Sequence, residues 1–408
     1  MEFYLPLGSA TAPFRTRYHD VKAFTMYITT TLKHKRTDVL DALARESGRC
    51  FSKVVSLMRK TQKRKGFWLS KGAVQKYLRL RGYALHSQSV QACVDSYFDA
   101  LKSFFQVRNS NSDAKPSKRT PRYFKVRWKS GAIRHKDSQL ILSNGKGQEP
   151  LILKTDIKPK YVEMYFHRGA YWFALVSEVD VPPKQETGIT VAIDMGEIHP
   201  IVSHDSEKTI IYNGRLLRSI FQYRNKVKAS FQAKIDRCKK RSKRWYRLIR
   251  AKRRVLDKLN AQIKDAEHKI TSRFISDCQR AKADTIVIGD LTGIRDRAKF
   301  SKKINQKIHQ WAFSRMQQKI CYKAEMAGIR VISTSEAYTS QTCPRCANRK
   351  KPTNRNYHCN ACGFKYHRDG VGAINLWNKV SGFLFSPVVG ALAAPVGVKF
   401  HWHLCRSG

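Results

Sequence analysis

Two Cys-x-x-Cys pairs, separated by twelve residues, are the feature that most restricts how this chain can fold. Cys343, Cys346, Cys359 and Cys362 form the pairs, and the other six of the ten cysteines are scattered singly. Four thiolates in two close pairs match tetrahedral zinc, and a site with four protein ligands leaves no open position for a substrate. We therefore predict a structural zinc ribbon over residues 339–363. The alternative, a pair of disulfides, conflicts with the scattered cysteines, which are typical of a reducing compartment.

The charge of the chain restricts its partners. Lys and Arg number 79 against 30 Asp and Glu, which gives a net charge of +49 over 408 residues. Such a charge repels itself, so we expect the native state to include a polyanion, and nucleic acid is the natural candidate. A ribosomal or histone-like binder is the simpler alternative, but 42% hydrophobic and 11% aromatic residues are enough for true cores. The length favours two or three domains.

The sequence predicts neither a secretory signal nor a membrane span. The N-terminus lacks a basic region followed by an apolar core. The uncharged stretch 383–398 is shorter than the about 20 residues that a span needs and is interrupted by Pro387 and Pro395. We expect residues 381–408 to form a loosely packed C-terminal tail. We also expect no membrane partner and a cytoplasmic, nucleoid-associated protein.

The N-terminal half changes from a helical to a strand-rich pattern. Apolar residues at spacings of three and four predict helices in residues 37–107. Short alternating runs follow, with turns at Asn144-Gly145 and Arg168-Gly169. We predict one N-terminal module in which a strand-rich domain of residues 1–36 and 108–184 carries a helical insertion of residues 37–107.

The second half alternates helices and strands, which predicts an α/β domain formed by residues 185–338 and 364–380. The segment "ITVAIDMGEIHPIVSHDSEKTIIYNGR" predicts three short strands, and two long amphipathic helices follow from Leu216 to about Arg280. "ADTIVIGDL" predicts a buried strand, and a helix ending at Gly328 precedes the strand "IRVISTSEAY". After the zinc ribbon, "GVGAINLWNKV" predicts the final helix.

Basic residues are dense on the two long helices. A charge run on a helix is more often a solvated face, but here its density and the interleaved aromatic residues favour contact with phosphates and stacked bases. We predict that the following residues bind nucleic acid: Arg237, Lys239, Lys240, Arg241, Lys243, Arg244, Trp245, Arg247, Arg250, Lys252, Arg253 and Arg254.

Three carboxylates stand at the edges of elements in the α/β domain. Asp194 ends a strand, Glu336 ends the strand that enters the zinc ribbon, and Asp369 begins the final helix. Each has a simpler interpretation, as a turn former, a surface partner of an arginine, or a helix cap. Together they can converge to hold two divalent cations, which is what metal-dependent hydrolysis of a phosphodiester requires. We predict that these three residues are catalytic and bind two Mg²⁺ ions.

The segments "VAIDMGEIHPIVSHD", "IVIGDL", "YTSQTCPRCANR" and "RDGVGAINLW" resemble, in this order, the RuvC-type nuclease of TnpB proteins, which transposons of the IS200/IS605 and related groups encode. The resemblance covers about residues 185–380, and the N-terminal half matches only in outline. It implies a β-barrel-like wedge domain with a helical recognition insertion, followed by an RNase H-like (RuvC) α/β domain with an inserted zinc ribbon. It also implies an RNA-guided DNA endonuclease related to type V CRISPR effectors and Fanzor proteins. The implied partners are a guide RNA made from the transposon end and double-stranded target DNA beside a short recognition motif.

The resemblance matches Asp194 and Asp369 to the first and third RuvC carboxylates, but the second carboxylate differs. Gly289, followed by Asp290, stands where the commonest members carry Glu. Strand alternation turns Asp290 to the face opposite position 289. Some TnpB branches and Fanzor proteins resemble a rearranged form in which the Glu lies on the strand before the zinc ribbon, and Glu336 occupies that place.

Two other functions stay open from the sequence. The chain can be a nuclease-inactive, RNA-guided DNA-binding protein, because the usual second carboxylate is missing. It can also be a transposase that joins DNA ends itself, although the resemblance to a RuvC hydrolase argues against this. His367 and Val371 depart from the common "DRDxNAAxN" pattern of the last motif, which leaves the details of that motif open.

Overall fold

The computed structural model describes residues 25–120, 123–290, 305–306, 313–382 and 394–400. The chain divides into two compact units, with the boundary between Asp180 and Val181. Several predictions fall on residues outside the described ranges: any strand before residue 25, the start of the helix that ends at Gly328, and most of the C-terminal tail.

The first unit contains an antiparallel sheet with three helices inserted after its first strand. Its elements are β1 (Thr25–His34), α1 (Asp38–Lys65), α2 (Lys71–Arg79), α3 (Ser87–Arg108), β2 (Val126–Lys129), β3 (Ile133–Lys136), β4 (Gln139–Leu142), β5 (Leu151–Lys154), β6 (Tyr161–His167) and β7 (Ala170–Asp180). One sheet has the order β1-β7-β6-β2, and a smaller one has the order β3-β4-β5. Strands on both sides of a helical insertion are what the sequence pattern predicted.

Both predicted turns in this unit lie between antiparallel strands. Arg168 and Gly169 form the tight turn between β6 and β7, with φ angles of 53° and 78°. The turn at Asn144-Gly145 lies in the longer connection between β4, which ends at Leu142, and β5, which begins at Leu151. There the amide of Gln148 donates to the carbonyl of Gly145 at 2.9 Å. The Asn-Gly signal is local, whereas the length of this connection depends on where the two strands begin to pair.

The second unit is a mixed sheet flanked by helices. Its elements are β8 (Thr190–Asp194), β9 (Ile201–His204), β10 (Thr209–Tyr212), α4 (Arg215–Asp236), α5 (Lys243–Arg280), β11 (Thr285–Asp290), α6 (Phe313–Met326), β12 (Arg330–Ser335), β13 (Asn356–His358), β14 (Lys365–His367), α7 (Arg368–Ser381) and β15 (Val396–Val398). The sheet order is β12-β11-β8-β9-β10-β15. β8, β9 and β10 form an antiparallel meander, and β11 and β12 run parallel to β8. This is the RNase H-like α/β domain that the resemblance implied.

The tail contributes to this sheet. Val396–Val398 pairs in parallel with β10. The expectation of a loosely packed tail is therefore wrong for these residues. A short strand with backbone partners available at the sheet edge pairs even though its sequence carries little periodic signal.

The two faces of the central strands pack against different helices. Val191 and Ile193 of β8 belong to a large core that includes residues of α4, α5 and α6. Ala192, between them, packs on the other face with Val287 of β11 and Leu376 of α7. Side chains alternate along a strand, so residues an even number of positions from Ala192 in β8 or from Val287 in β11 also face α7. We describe such residues as having the same parity. Among the described helices, none combines the length and apolar character needed to cross a bilayer.

Candidate active site

Asp194, the last residue of β8, lies on the sheet face that α7 covers. It has the parity of Ala192, which packs against Leu376 of α7. Gly372 of α7 lies opposite, and a Cβ at position 372 would be 2.6 Å from Asp194 Oδ2. The missing side chain at 372 leaves room for the Asp194 carboxyl group. Burial, and then the negative charge of Asp369, raise the pKa of Asp194 to about 7.

Glu336 directly follows β12, and its side chain folds over Gly289 of the neighbouring strand β11. The two strands pair in parallel, with Gly289 opposite Thr334. A Cβ on residue 289 would lie 2.0 Å from both Cγ and Oε1 of Glu336 and 2.3 Å from its Cδ. The carboxyl group of Glu336 therefore fills the space that a side chain at 289 would occupy. The glycine at position 289 therefore leaves the space that the side chain of Glu336, 47 residues later, occupies.

The Glu336 carboxyl group is placed where ionisation is difficult. Its Oε1 atom is buried and has no hydrogen-bond partner among the described residues. Burial, followed by the negative charges of Asp194 and Asp290, raises the pKa of Glu336 to about 8. Asp290 itself is exposed, and its parity along β11 is opposite to that of Gly289. Glu336, and not Asp290, is thus the carboxylate on the face that Asp194 shares.

Asp369 lies in the first turn of α7 and is held by two basic side chains. Its Oδ2 accepts a hydrogen bond from Nη1 of Arg355 at 2.5 Å and lies 2.9 Å from Nδ1 of His199. Neither contact involves Oδ1. Burial by itself would raise the pKa of Asp369, but the hydrogen bond from His199 and the charge of Arg355 outweigh it and lower that pKa. Asp369 is therefore the carboxylate of the three that ionises most readily.

The three predicted carboxylates come from different elements and influence one another electrostatically, but they are not in mutual contact. Asp369 raises the pKa of Asp194, and Asp194 raises the pKa of Glu336. Within the described ranges, two groups of three or more residues have possible metal-ligand atoms that all lie within 4.8 Å of one another. They are the four cysteines and the set of His199, His367 and Asp369. The carboxylate trio is a wider cluster than either of these.

Sequence reasoning missed two residues of this site, His199 and Arg355. His199 precedes β9 in an irregular loop, where the amide of Gly196 donates to the carbonyl of His199 at 2.9 Å. Arg355 is one of several arginines in the ribbon, and composition does not distinguish it from the others. His367 carried the one usable signal, because it departs from the common pattern of the last motif.

The four ribbon cysteines have the spacing of a zinc site. Sγ atoms of Cys343 and Cys362 lie 3.6 Å apart, and those of Cys346 and Cys359 lie 3.5 Å apart. A zinc tetrahedron with Zn–S bonds of about 2.3 Å has S–S edges of about 3.8 Å. A disulfide bond would be about 2.05 Å, and all four cysteines are free. The cluster can therefore hold a zinc ion.

The basic residues predicted to bind nucleic acid lie in the turn between α4 and α5 and on the first half of α5. Within this set, every Lys and Arg except Lys252 is exposed. Trp245 lies edge-on to Tyr246 with ring centroids 5.0 Å apart, and Tyr246 is 47% exposed. Trp245, Lys240 and Lys252 line a cavity of about 730 Å³ between the two helices. The surface combines positive charge with accessible aromatic rings.

Comparisons with known proteins agree with these features. A family model described as a probable transposase, OrfB_IS605, matches residues 174–295, and a model described as Cas12f1-like, TNB domain, matches residues 313–376. A TnpB-like protein of Methanocaldococcus jannaschii is 34% identical over 120 residues, which are 29% of this chain and 43% of that protein. The CRISPR-associated endodeoxyribonuclease Cas12f1 of Sulfoacidibacillus thermotolerans is 35% identical over 120 residues, 28% of this chain and 27% of that protein.

Among solved structures, the chain is similar to a Cas12f1 protein determined by cryo-EM in a complex with sgRNA and target DNA. The TM-score is 0.58 at 14% identity, over 83% of this chain and 82% of that one. At this identity the likeness shows the fold. The chain spans less than half the length of the two curated relatives named above.

Proposed function

We propose that this chain, which is a member of the TnpB family, is an RNA-guided DNA endonuclease. A guide RNA made from the transposon end would pair with one strand of double-stranded DNA beside a short recognition motif. Pairing would then read most of the target, and the protein would hold the heteroduplex by its backbone. The observation that carries the catalytic part is the Glu336 carboxyl group, which fills the space over Gly289 on the sheet face shared with Asp194.

Asp194, Glu336 and Asp369 suit magnesium as ligands. Carboxylate oxygens are the donors that Mg²⁺ prefers. The buried, unpaired Oε1 atom of Glu336 supports this assignment, because an orphaned polar atom of this kind is costly unless something binds it. When bound, two Mg²⁺ ions would activate a water molecule and stabilise the leaving oxygen of the phosphodiester.

The protein's own groups prepare this chemistry. Asp369 is ionised at neutral pH, whereas Asp194 and Glu336, with pKa values of about 7 and about 8, are partly protonated. Asp194 and Glu336 would lose these protons on binding a cation, because only the ionised carboxylates act as ligands. Gly372 and Gly289 keep the space around the two carboxyl groups free.

We propose that the cysteine cluster binds one structural zinc ion and that the ribbon supports the catalytic face. The backbone carbonyl of Arg355 accepts a hydrogen bond from the amide of Arg368 at 2.8 Å, and β13 pairs with β14 just before Asp369. A ribbon without zinc would lose this support.

The test is cleavage by the ribonucleoprotein. The chain is co-expressed with its transposon-end RNA, purified as a complex and incubated in Mg²⁺ with a plasmid library that carries random sequence beside the target. We expect cleavage that EDTA abolishes. Asp194→Asn and Glu336→Gln should each reduce the cleavage rate by about 100-fold or more while RNA and DNA binding persist. Glu207→Gln, at an exposed carboxylate in the turn between β9 and β10, is the matched control and should cleave normally.

The other outcomes identify the alternatives. Target binding without cleavage by the unmodified complex would establish the nuclease-inactive binding protein. Joined DNA ends in place of hydrolysed ones would establish a transposase.

The basic surface has a separate test. Arg247 is exposed on α5 among the residues predicted to bind nucleic acid. If Arg247 contacts a phosphate, Arg247→Ala should weaken RNA binding and reduce the salt dependence of the affinity by about one unit of slope. An unchanged slope would remove Arg247 from the interface.

A further inference from the structure

Beside the carboxylate cluster lies a second group of ligand side chains that the proposed function does not require. His199, His367 and Asp369 each offer one ligand atom, and these atoms all lie within 4.8 Å of one another. His199 is only 7% exposed, and the centroids of the two imidazole rings are 5.1 Å apart. Imidazole nitrogens together with a carboxylate oxygen favour a first-row transition-metal ion over Mg²⁺, which prefers oxygen ligands.

The closest pair in this group has the separation of two ligands on one ion. Nδ1 of His199 and Oδ2 of Asp369 lie 2.9 Å apart. Two adjacent ligands of an octahedral ion with bonds of about 2.1 Å are separated by about 3.0 Å. The same distance suits a direct hydrogen bond, so the surroundings of the pair decide between the two.

Arg355 shows that this pair already attracts a cation. Its Nη1 atom lies 2.5 Å from Oδ2 of Asp369 and 3.2 Å from Nδ1 of His199. If His199 Nδ1 carries a proton, it donates to Oδ2 of Asp369, and the guanidinium contacts the same oxygen. If Nδ1 is unprotonated, Nδ1 and Oδ2 both accept hydrogen bonds from Arg355, and one positive group bridges the two atoms. In either tautomer, Nη1 of Arg355 lies within hydrogen-bond distance of the two atoms, Oδ2 and Nδ1, that a metal ion would bind.

The third ligand is available and its backbone is fixed. Nδ1 of His367 is buried and has no hydrogen-bond partner among the described residues. His367 ends β14, where it pairs with Asn356 of β13. The loop that carries His199 is held by hydrogen bonds from the amides of Gly196 and Gly214 to the carbonyls of His199 and Ile198. Both histidines thus come from well-anchored backbone, as a metal site requires.

We infer that His199, His367 and Asp369 form a binding site for a divalent transition-metal ion. Arg355 contacts two of the ligand atoms when no ion is bound, and it must move away before the ion binds. The inference rests on the proposed function in one respect, since Asp369 would be shared with the magnesium cluster through its other oxygen. It adds that the ion in this second site is held partly by nitrogen, which gives that site a preference for an ion such as Mn²⁺ over Mg²⁺.

The test detects histidine nitrogen on the metal directly. The full chain with its RNA is prepared with ¹⁵N-labelled histidine as the only label and loaded with Mn²⁺. Electron spin echo envelope modulation should then show ¹⁵N coupling that unlabelled protein lacks, and RNA nitrogen cannot produce this difference. The same Mn²⁺ should be displaced by Mg²⁺ only in large excess.

Variants separate ligands from supports. His199→Ala and His367→Ala should each raise the Kd for Mn²⁺ about tenfold or more and remove part of the ¹⁵N coupling. His358→Ala, at an exposed histidine of the same ribbon, is the control and should leave both unchanged. Arg355→Gln should lower the Kd for Mn²⁺, and this gain cannot come from a failure to fold.

Absence of ¹⁵N coupling in both the unmodified chain and Arg355→Gln would overturn the site. Loss of cleavage in the histidine variants without such coupling would leave the histidines as positioning residues for Asp369. An inactive complex that still shows the coupling would refute the nuclease but retain the metal site. A complex that cleaves in Mg²⁺ without the coupling would refute the metal site and retain the nuclease.

Discussion

Gly289→Ala is the substitution that most directly tests the position of Glu336. A Cβ at 289 would lie 2.0 Å from Cγ and Oε1 of Glu336, whereas ordinary carbon contacts begin near 3.4 Å. The carboxyl group would have to move by about 1.4 Å, which is several times the about 0.2 Å that a metal–ligand distance tolerates. A misplacement of about 1 Å at a catalytic group can cost about 100-fold in rate, so we expect at least this loss.

The stability of the protein should change little in this variant. Alanine is a better strand residue than glycine by about 0.5–1 kcal/mol, which offsets part of the cost of displacing the glutamate side chain. The assay is single-turnover cleavage by the ribonucleoprotein, together with thermal unfolding and a calorimetric titration with Mg²⁺. Gly397→Ala is the matched control, because Gly397 also lies in a strand of the second unit and a Cβ there would meet nothing within 4 Å.

A rescue makes the test sharper. In the double variant Gly289→Glu with Glu336→Ala, a carboxylate on β11 would extend into the space that Glu336 vacates. This variant should cleave faster than either Gly289→Ala or Glu336→Ala. Cleavage by Gly289→Ala at the unmodified rate would refute the role of Glu336, whatever the result of the rescue.

The remaining predictions concern protons, a neighbouring charge and zinc. Asp194 and Glu336 have pKa values of about 7 and about 8, so the affinity for Mg²⁺ should fall as pH decreases from about 8 to 6. Calorimetry in buffers of different ionisation enthalpy should detect the protons that are released on binding. An affinity that does not depend on pH would refute these pKa values. At these two groups the native state binds more protons than the unfolded chain, so without Mg²⁺ their contribution to the free energy of unfolding should decrease as pH rises from about 4 to 8. Asp290→Asn removes a charge that raises the pKa of Glu336. This variant should keep the maximal cleavage rate, and the acidic limb of its pH–rate profile should move to lower pH. Loss of cleavage would make Asp290 the second carboxylate. Cys343→Ser should abolish zinc binding, as measured by metal analysis, and should unfold the ribbon, as measured by proteolysis. Full zinc content in this variant would contradict the assignment of the four cysteines as a zinc site.

Much of the fold follows from local pattern. The alternation in β8 and β11, the spacing of apolar residues in α4 and α5, and the paired cysteines each involve interactions between residues that are close in sequence. Such signals specify an element and the face it buries wherever one face is apolar. The departure in the tail occurred where the outcome depended on a distant partner. The strand Val396–Val398 needed β10 beside it.

For the candidate site, the sequence by itself determined which carboxylates stand at the ends of elements and that Gly289 lacks the usual side chain. The face of each strand residue followed from its parity, because alternation is a property of the extended backbone alone. Only the tertiary structure decided that Glu336 folds over Gly289 and that Arg355 and His199 hold Asp369. These contacts join residues from 14 to 170 positions apart, so their geometry depends on how β8, β11, β12, the ribbon and α7 pack together.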